Sequence, residues 1–286
     1  MFAKLNVLFS VGLALCVIGS ASAKVPTAVP KDVPFNFVAY GDTRSNPAMH
    51  RKIIQEIIGL KPEFVMQSGD LVLRGYRPDE WPEFDAITKP LRDHHIPYYP
   101  ARGNHDVGPY YIHEVRQPYD SGNGYYYAFT RHHNRFIIVD SMDPDLFVPT
   151  STQYKWLRNE LAKAQYTANN MFVMFHEGPY SVGPHGPTPD AQTWLCPLFN
   201  AYKPRLVICG HDHLYYRTKR NGVTYVITGG GGAELYQPTN AQLAIPGDVY
   251  KSVHHVINLH VDGSRVTGTV ITPDGVVIDK FTLGPK

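Results

Sequence analysis

Short apolar runs that end at a polar residue recur along this chain, and they constrain its fold more than any other feature. The runs are too short for buried helices and have the length of buried strands. Segments with helical spacing separate them, as at Ile53, Ile54, Ile57 and Ile58 within 47–60. Strands that alternate with helices predict an α/β fold with a mixed sheet, or two such sheets packed face to face.

The same patterns place the individual elements. Strands are predicted at 35–40, 63–67, 96–100, 125–129, 135–139, 170–175 and 205–209, with antiparallel strands from Tyr225 onward. Helices are predicted at 47–60, 78–93, from Thr152 through Ala164, and at 189–202. Thr152 is the predicted N-cap of the third helix, because a hydroxyl there can accept a hydrogen bond from the first turn.

The N-terminal segment has the pattern of an export signal. Lys4 precedes an apolar run from Val7 to Ile18, and Ala21-Ser22-Ala23 supplies small residues for cleavage. We therefore predict a signal peptide at 1–23, a tether at 24–34, a single catalytic domain at 35–286 and an exported protein, periplasmic or secreted. An uncleaved membrane anchor is the alternative.

Charge and cysteine content limit the partners and the cross-links. The formal net charge of +2 gives no reason to expect a nucleic-acid surface, or a membrane surface after signal cleavage, and oligomeric state is open. Cys196 and Cys209 remain after the predicted cleavage. Export permits a disulfide between them, but we favour two buried free thiols.

Residue types that bind metals follow five of the predicted strands. They are Gly41-Asp42, Gly69-Asp70, Gly103-Asn104-His105-Asp106, His176 and Gly210-His211-Asp212-His213. In open α/β folds the site lies at the carboxyl ends of the strands, where all five segments fall. Carboxylate, amide and imidazole together suit metals of intermediate hardness, so the sequence predicts a metal site there.

In order and spacing these segments resemble the calcineurin-like metallophosphoesterase family, which includes the purple acid phosphatases. The resemblance implies a four-layer α/β/β/α sandwich with mixed sheets and two divalent or trivalent ions (Mn, Fe or Zn). It makes Asp70 the bridging ligand. It assigns Asn104, His176 and His211 to one ion and Asp42 and His213 to the other.

The chemistry implied is hydrolysis of phosphate esters by a metal-activated hydroxide, with His105 as the general acid. We expect small phosphomonoesters as substrates, because the chain has no obvious nucleic-acid channel. Asp106 either orients the His105 imidazole or only caps the backbone. A phosphodiesterase acting on nucleotides or phospholipid headgroups is the alternative. A further, less favoured alternative is a non-catalytic binding protein that kept the fold but whose metal site has decayed.

Arg44 departs from the family pattern. The second residue after the first motif Asp is most often His, and in purple acid phosphatases a Tyr three residues after the bridging Asp replaces it. Here the two positions hold Arg44 and Leu73, and an arginine cannot ligate a metal. Water or Tyr76 would complete the site, or Arg44 binds the substrate phosphate. We favour Arg44 as a phosphate ligand, with the Asp42/His213 site holding its metal less tightly, over an arginine in a surface loop or an internal salt bridge.

Two further segments lie near the predicted site. His185 is in a Pro- and Gly-rich loop at 178–189, just after His176, and a position over the centre as a substrate-loop residue is open but not favoured. The glycine run Gly229 to Gly232 predicts close backbone approach rather than a phosphate-binding loop, because no helix clearly follows it.

Overall fold

A computed structural model describes residues 33–284. The predicted signal peptide at 1–23 and nearly all of the predicted tether lie outside these residues and stay predictions. Within residues 33–284, no helix has the length and hydropathy needed to span a membrane.

In the first two thirds of the chain, the order and approximate positions of most strands agree with the prediction. They are β1 (Phe35–Tyr40), β2 (Phe64–Gln67), β3 (Tyr98–Pro100), β4 (Ser121–Gly122), β5 (Tyr127–Arg131), β6 (Asn134–Ile138), β7 (Asn170–Met174), β8 (Leu206–Cys209), β9 (Tyr215–Arg220), β10 (Val223–Thr228), β11 (Val249–Lys251), β12 (Val256–Asp262), β13 (Arg265–Ile271) and β14 (Val277–Leu283).

The helices are α1 (Pro47–Leu60), α2 (Trp81–Asp93), α3 (Thr152–Thr167) and α4 (Cys196–Tyr202), the last preceded by a π-helical turn at Ala191–Leu195. Short 3₁₀ turns occur at Asn104–Asp106, Tyr111–Glu114, Pro144–Phe147 and Ala241–Leu243. The cap of α3 is Ser151, whose side chain accepts from Tyr154 N, so the prediction of Thr152 was wrong by one residue.

The strands form two mixed sheets. The first has six strands in the order β14-β13-β12-β1-β2-β3, and the second has eight in the order β11-β9-β10-β8-β7-β6-β5-β4. In the first, β1 pairs parallel with β2 and antiparallel with β12. In the second, β10 pairs parallel with β8 and antiparallel with β9. The strands that follow, β11 to β14, pair antiparallel as predicted, so the exception from Tyr225 onward is the pairing of β10 with β8.

Alternate residues of β1 face two different cores, as the period of a strand requires. Phe37 and Ala39 belong to the cluster between the two sheets, whereas Val38 and Tyr40 pack on the side of α1 and α2. A third cluster joins the second sheet to α3 and α4. Three apolar cores between four layers confirm the predicted α/β/β/α sandwich with mixed sheets.

Cys196 and Cys209 are both buried free thiols, as we favoured over the disulfide. The Tyr225 hydroxyl lies 3.9 Å from the Cys196 Sγ. Burial raises the pKa of the Cys209 thiol well above its usual value, so this thiol is not an activated nucleophile.

Candidate metal centre

The predicted ligands lie in the loops that follow β1, β2, β3, β7 and β8. Parallel pairing of β1 with β2 and of β7 with β8 brings their carboxyl ends together within each sheet. The two sheets then bring the two sets of loops to one edge of the sandwich. Ligand atoms of Asp42, Asp70 and His176 all lie within 4.8 Å of one another.

Three of these residues have left-handed backbone conformations. The φ angles are 59° at Asp42, 58° at Asp70 and 72° at His211. Such conformations cost about 1–2 kcal/mol each for residues with a side chain and persist where surrounding contacts hold them. Asp42 N donates to Gly69 O at 2.9 Å and so ties the first two ligand loops together.

Glycines allow the loops to approach each other. A Cβ on Gly103 would lie 2.3 Å from the Asp70 backbone nitrogen, and one on Gly229 would lie 2.2 Å from the Asp212 carbonyl oxygen. The predicted close backbone approach at Gly229 to Gly232 is therefore confirmed.

The acceptor side of the centre consists of Asp70 Oδ1, Asn104, His176 and His211. The Asn104 Oδ1 lies 3.0 Å from His176 Nε2 and 3.1 Å from His211 Nδ1. His176 Nε2 lies 3.3 Å from His211 Nδ1 and 3.4 Å from Asp70 Oδ1. Four potential ligand atoms thus converge on one small volume.

The hydrogen-bond partner of His176 shows that this volume suits a cation. Its Nδ1 lies 2.9 Å from the Ser68 carbonyl oxygen, which can only accept, so Nδ1 carries the hydrogen. In the neutral imidazole Nε2 then presents a lone pair toward the oxygens of Asn104 and Asp70. A metal ion would satisfy all of these acceptors, and the orienting carbonyl is the usual partner of a metal-binding histidine.

The Arg44 side consists of Asp42, Asp70 Oδ2, His213 and Arg44. Arg44 Nε donates to Asp70 Oδ2 at 3.0 Å, and Arg44 Nη2 lies 3.3 Å from His213 Nε2. His213 Nε2 is also 3.6 Å from Asp42 Oδ1. Tyr76, one candidate for the missing ligand, is 64% exposed and does not fit a buried ligand position.

Burial shifts the pKa of several candidate ligands. It raises the pKa of Asp42 well above its usual range, with repulsion from Asp70 adding to the effect. For Asp70 burial acts in the same direction, but His176, the His105 backbone N–H and Arg44 outweigh it and lower the pKa. Burial lowers the pKa of His211 to about 2 and that of His213 to about 4, so both are neutral at pH 7 and able to bind a metal.

His105 lies beside the acceptor side, on the 3₁₀ turn after β3. Its backbone N–H donates to Asp70 Oδ1 at 3.0 Å. Its Nδ1 lies 2.7 Å from the Leu73 carbonyl oxygen, so Nδ1 donates and Nε2 is left for a proton. The ring is half-buried, and the neighbouring Asn104 is exposed, so the site opens to solvent here.

The hydrogen bonds of Asp106 are those of the backbone-capping alternative rather than of a partner for the His105 ring. The carboxylate is fully buried. It accepts from the backbone N–H groups of Asp70, Leu71, Val72 and Gly103 at 2.8–3.2 Å. Asp106 therefore fixes the loops that carry Asp70 and Asn104, and Leu73 holds the His105 ring.

His185 lies against the candidate centre, the position that the sequence left open. Its ring centroid is 4.0 Å from that of His211, and its Nδ1 lies 2.9 Å from Asp212 Oδ1. Ser181 Oγ donates to the other oxygen of the buried Asp212. Asp212 thus anchors the loop above the centre.

Two residues of the site went unassigned in the sequence analysis. Asp212 lies inside a recognised motif, where its place between two histidines was the available signal. Tyr236 stacks on His213 with centroids 4.0 Å apart and rings 15° from parallel. It lies in an irregular segment, and nothing in the sequence pattern pointed to it.

A cavity of about 330 Å³ adjoins the Arg44 side and is lined by Arg44, Leu73 and Phe84 among others. A larger cavity of about 650 Å³ lies elsewhere, around Lys203, Arg217 and Phe281. The lining of neither cavity includes a predicted metal ligand, so convergence of potential ligand atoms, rather than cavity size, identifies the candidate site.

Residues 35–215, more than half of the chain, match the calcineurin-like phosphoesterase family. The chain belongs to this family. The match includes Asp42, Asp70, Asn104, His176, His211 and His213. The family comprises hydrolases of phosphoric esters that use a dinuclear metal centre, and its relatives here include purple acid phosphatases.

Similar proteins come from bacteria and plants. An uncharacterized protein of Mycobacterium tuberculosis is 28% identical over 73% of this chain, and the chain spans about half (52%) of its length. Purple acid phosphatase 7 of Arabidopsis thaliana is 24% identical, with 88% of this chain and 90% of the relative covered.

The fold is shared with solved structures. A purple acid phosphatase from yellow lupin seeds superposes with a TM-score of 0.76 at 20% identity, covering 88% of this chain and 54% of that one. GAP50, the anchor in the inner membrane complex of Plasmodium, superposes with a TM-score of 0.74 at 18% identity, covering 88% and 89%. At these identities the likeness establishes the fold alone.

Proposed function

We propose that this protein is an exported, metal-dependent phosphoesterase that hydrolyses small phosphomonoesters. The observation that carries the proposal is the convergence of Asp70, Asn104, His176 and His211 beside a half-buried His105. Asp70, Asn104, His176 and His211 would hold an ion, for which Mn, Fe and Zn are the candidates. When bound, the metal would neutralise phosphoryl charge and activate the attacking water.

The residues of the chain have separate tasks in this reaction. His105 donates a proton from Nε2 to the leaving-group oxygen, since Leu73 fixes its Nδ1–H. Arg44 and His185 bind phosphoryl oxygens from the two sides of the centre. Asp106 keeps the Asp70 and Asn104 loops in register and takes no part in proton transfer.

The charge around the centre favours a monoester. A phosphomonoester carries close to two negative charges at neutral pH, because its second pKa is near 6, whereas a diester carries one. The fixed positive charge of Arg44 suits the more highly charged substrate.

The test compares p-nitrophenyl phosphate with bis(p-nitrophenyl) phosphate in the presence of Mn²⁺, Zn²⁺, Fe²⁺ or Co²⁺. We expect kcat/KM for the monoester to exceed that for the diester at least tenfold, and His211→Ala serves as the inactive control. Faster diester hydrolysis would replace the proposal by the phosphodiesterase alternative. A folded, metal-loaded protein that hydrolyses neither would be a binding protein.

Export is tested separately by cell fractionation and N-terminal sequencing. Cleavage after Ala23 predicts an extracytoplasmic protein that begins at Lys24. A cytoplasmic protein that keeps residues 1–23 would contradict this part of the proposal.

A further inference from the structure

The guanidinium of Arg44 contacts the atoms that a second cation would need. Its Nε donates to Asp70 Oδ2 at 3.0 Å, while the other oxygen of that carboxylate faces His176 on the acceptor side. Its Nη2 lies 3.3 Å from His213 Nε2. The two nitrogens thus use one lone pair of the shared carboxylate and one imidazole lone pair.

The direction of the His213 hydrogen bond follows from its other nitrogen. Nδ1 lies 2.6 Å from the carbonyl oxygen of Glu234, which can only accept, so Nδ1 carries the hydrogen. Nε2 of the neutral ring then has only a lone pair, and Arg44 Nη2 is the donor toward it. Tyr236 stacks on this ring and holds its plane. The lone pair suited to a metal is therefore engaged by an N–H group.

The position of Arg44 is fixed by its own loop. Arg44 N donates to the Asp70 carbonyl oxygen at 3.3 Å, and Thr43 N donates to the same oxygen at 2.9 Å. Thr43 Oγ1 donates to the Leu71 carbonyl oxygen at 3.0 Å. The side chain of Arg44 is only 14% exposed. Backbone and side chain thus bind the same Asp70 loop, and the positive charge is built into the site.

We propose that the Arg44 guanidinium takes the place of a second metal ion, so that the centre of this chain holds one ion, on Asp70, Asn104, His176 and His211. Two of the five N–H groups of Arg44 are engaged by Asp70 and His213, which leaves three for phosphoryl oxygens. The guanidinium thereby supplies the charge neutralisation that a second ion provides in a two-metal centre. The role in hydrolysis rests on the proposed function, whereas the number of ions does not.

The experiment counts Mn²⁺ ions on the full chain. The protein is stripped with a chelator and titrated with Mn²⁺ alone, and the bound metal is measured by elemental analysis and electron paramagnetic resonance. We expect one tightly bound ion per chain and the spectrum of an isolated Mn²⁺. Two ions of similar affinity in the wild-type protein would overturn the proposal without the need for any variant.

Two variants test whether Arg44 keeps the second ion out. Arg44→His replaces the cation by a neutral ligand, so we expect a second Mn²⁺ and an exchange-coupled spectrum. Arg44→Met removes the charge without adding a ligand. A second ion in both variants identifies the charge as the cause, and one in Arg44→His alone shows that a ligand is also required. If neither variant gains an ion, the proposal is overturned.

Hydrolysis of p-nitrophenyl phosphate is measured on the same samples. A protein that holds one ion and hydrolyses no phosphate ester would contradict the proposed function and leave the metal count standing. A protein that hydrolyses the ester and binds two tight ions would support the proposed function and contradict the proposal of a single ion.

Discussion

The two sides of the metal centre share residue types but differ in their hydrogen-bond donors. On the acceptor side, Asn104 Oδ1, His176 Nε2 and His211 Nδ1 lie 3.0–3.3 Å from one another, and the amide oxygen and His176 Nε2 present lone pairs. On the Arg44 side, a guanidinium donates to Asp70 and His213. The two sets of candidate ligands at this edge of the sandwich are therefore not equivalent, because the Arg44 guanidinium already lies among the residues of one set.

The largest effect is expected from removing one imidazole on each side. His176→Ala should abolish tight metal binding and lower kcat/KM more than about 100-fold, because loss of an outer-shell partner alone typically costs 10–100-fold. His213→Ala should keep the ion, and its kcat/KM should fall by about tenfold or less. Metal analysis and steady-state kinetics on both variants check this. Equal loss of metal in the two would abolish the distinction between the sides.

The next effect concerns proton transfer beside the acceptor side. His105→Gln should lower kcat for an alkyl phosphate by about 10²–10⁴-fold, the usual contribution of a general acid. The loss should be much smaller for p-nitrophenyl phosphate, whose leaving group needs little protonation. The metal content should not change, since His105 is not a ligand in the proposal. An equal loss on both substrates would argue against the acid role.

Asp106→Ala should act on stability. Removal of the carboxylate leaves buried backbone N–H groups of four residues without their acceptor, at about 1–3 kcal/mol for each that stays unsatisfied. We expect the free energy of unfolding to fall by about 3 kcal/mol or more, and Tm by roughly 6–12 °C. Asp79→Ala, on the surface, is the control and should shift Tm much less. An unchanged Tm would mean that the loops do not depend on this carboxylate.

The smallest effect is expected from replacing His185, which lies against His211 on the acceptor side. His185→Asn should raise KM by up to about tenfold, the value of one hydrogen bond to a charged phosphate, with little change in metal binding. His260→Asn, an exposed histidine on β12, is the matched control. If metal affinity fell together with KM, His185 would belong to the metal site rather than to the substrate site.

Much of the fold was predictable because strand and helix periods are local properties of the sequence. β1 and α1 begin and end at the predicted residues. β9 was missed because Tyr215–Arg220 ends in Arg217, Thr218, Lys219 and Arg220, a polar sequence that does not resemble a buried strand. It is a strand because it lies between β10 and the short edge strand β11.

Which residues come together at the candidate site was predictable, but the hydrogen bonds among them were not. The carboxyl ends of parallel strands meet at one edge, so the candidate ligands could be named from the sequence, and their metal-binding role stays a prediction. The hydrogen bonds that the Asp106 carboxylate accepts and the two contacts of Arg44 join residues from different loops, and no local pattern encodes them. The same holds for Tyr236, which reaches His213 only through the folded chain.

The ligand loops also determine when the centre can assemble. Their residues extend from Asp42 to His213, come from both sheets and include three left-handed positions that the chain does not favour on its own. A site of this kind does not exist in the nascent polypeptide and forms only after both sheets have paired. An ion held by the proposed centre would therefore be drawn from the pool of the compartment in which the chain finishes folding, so metal availability there would join geometry and ligand type in deciding which ion is loaded.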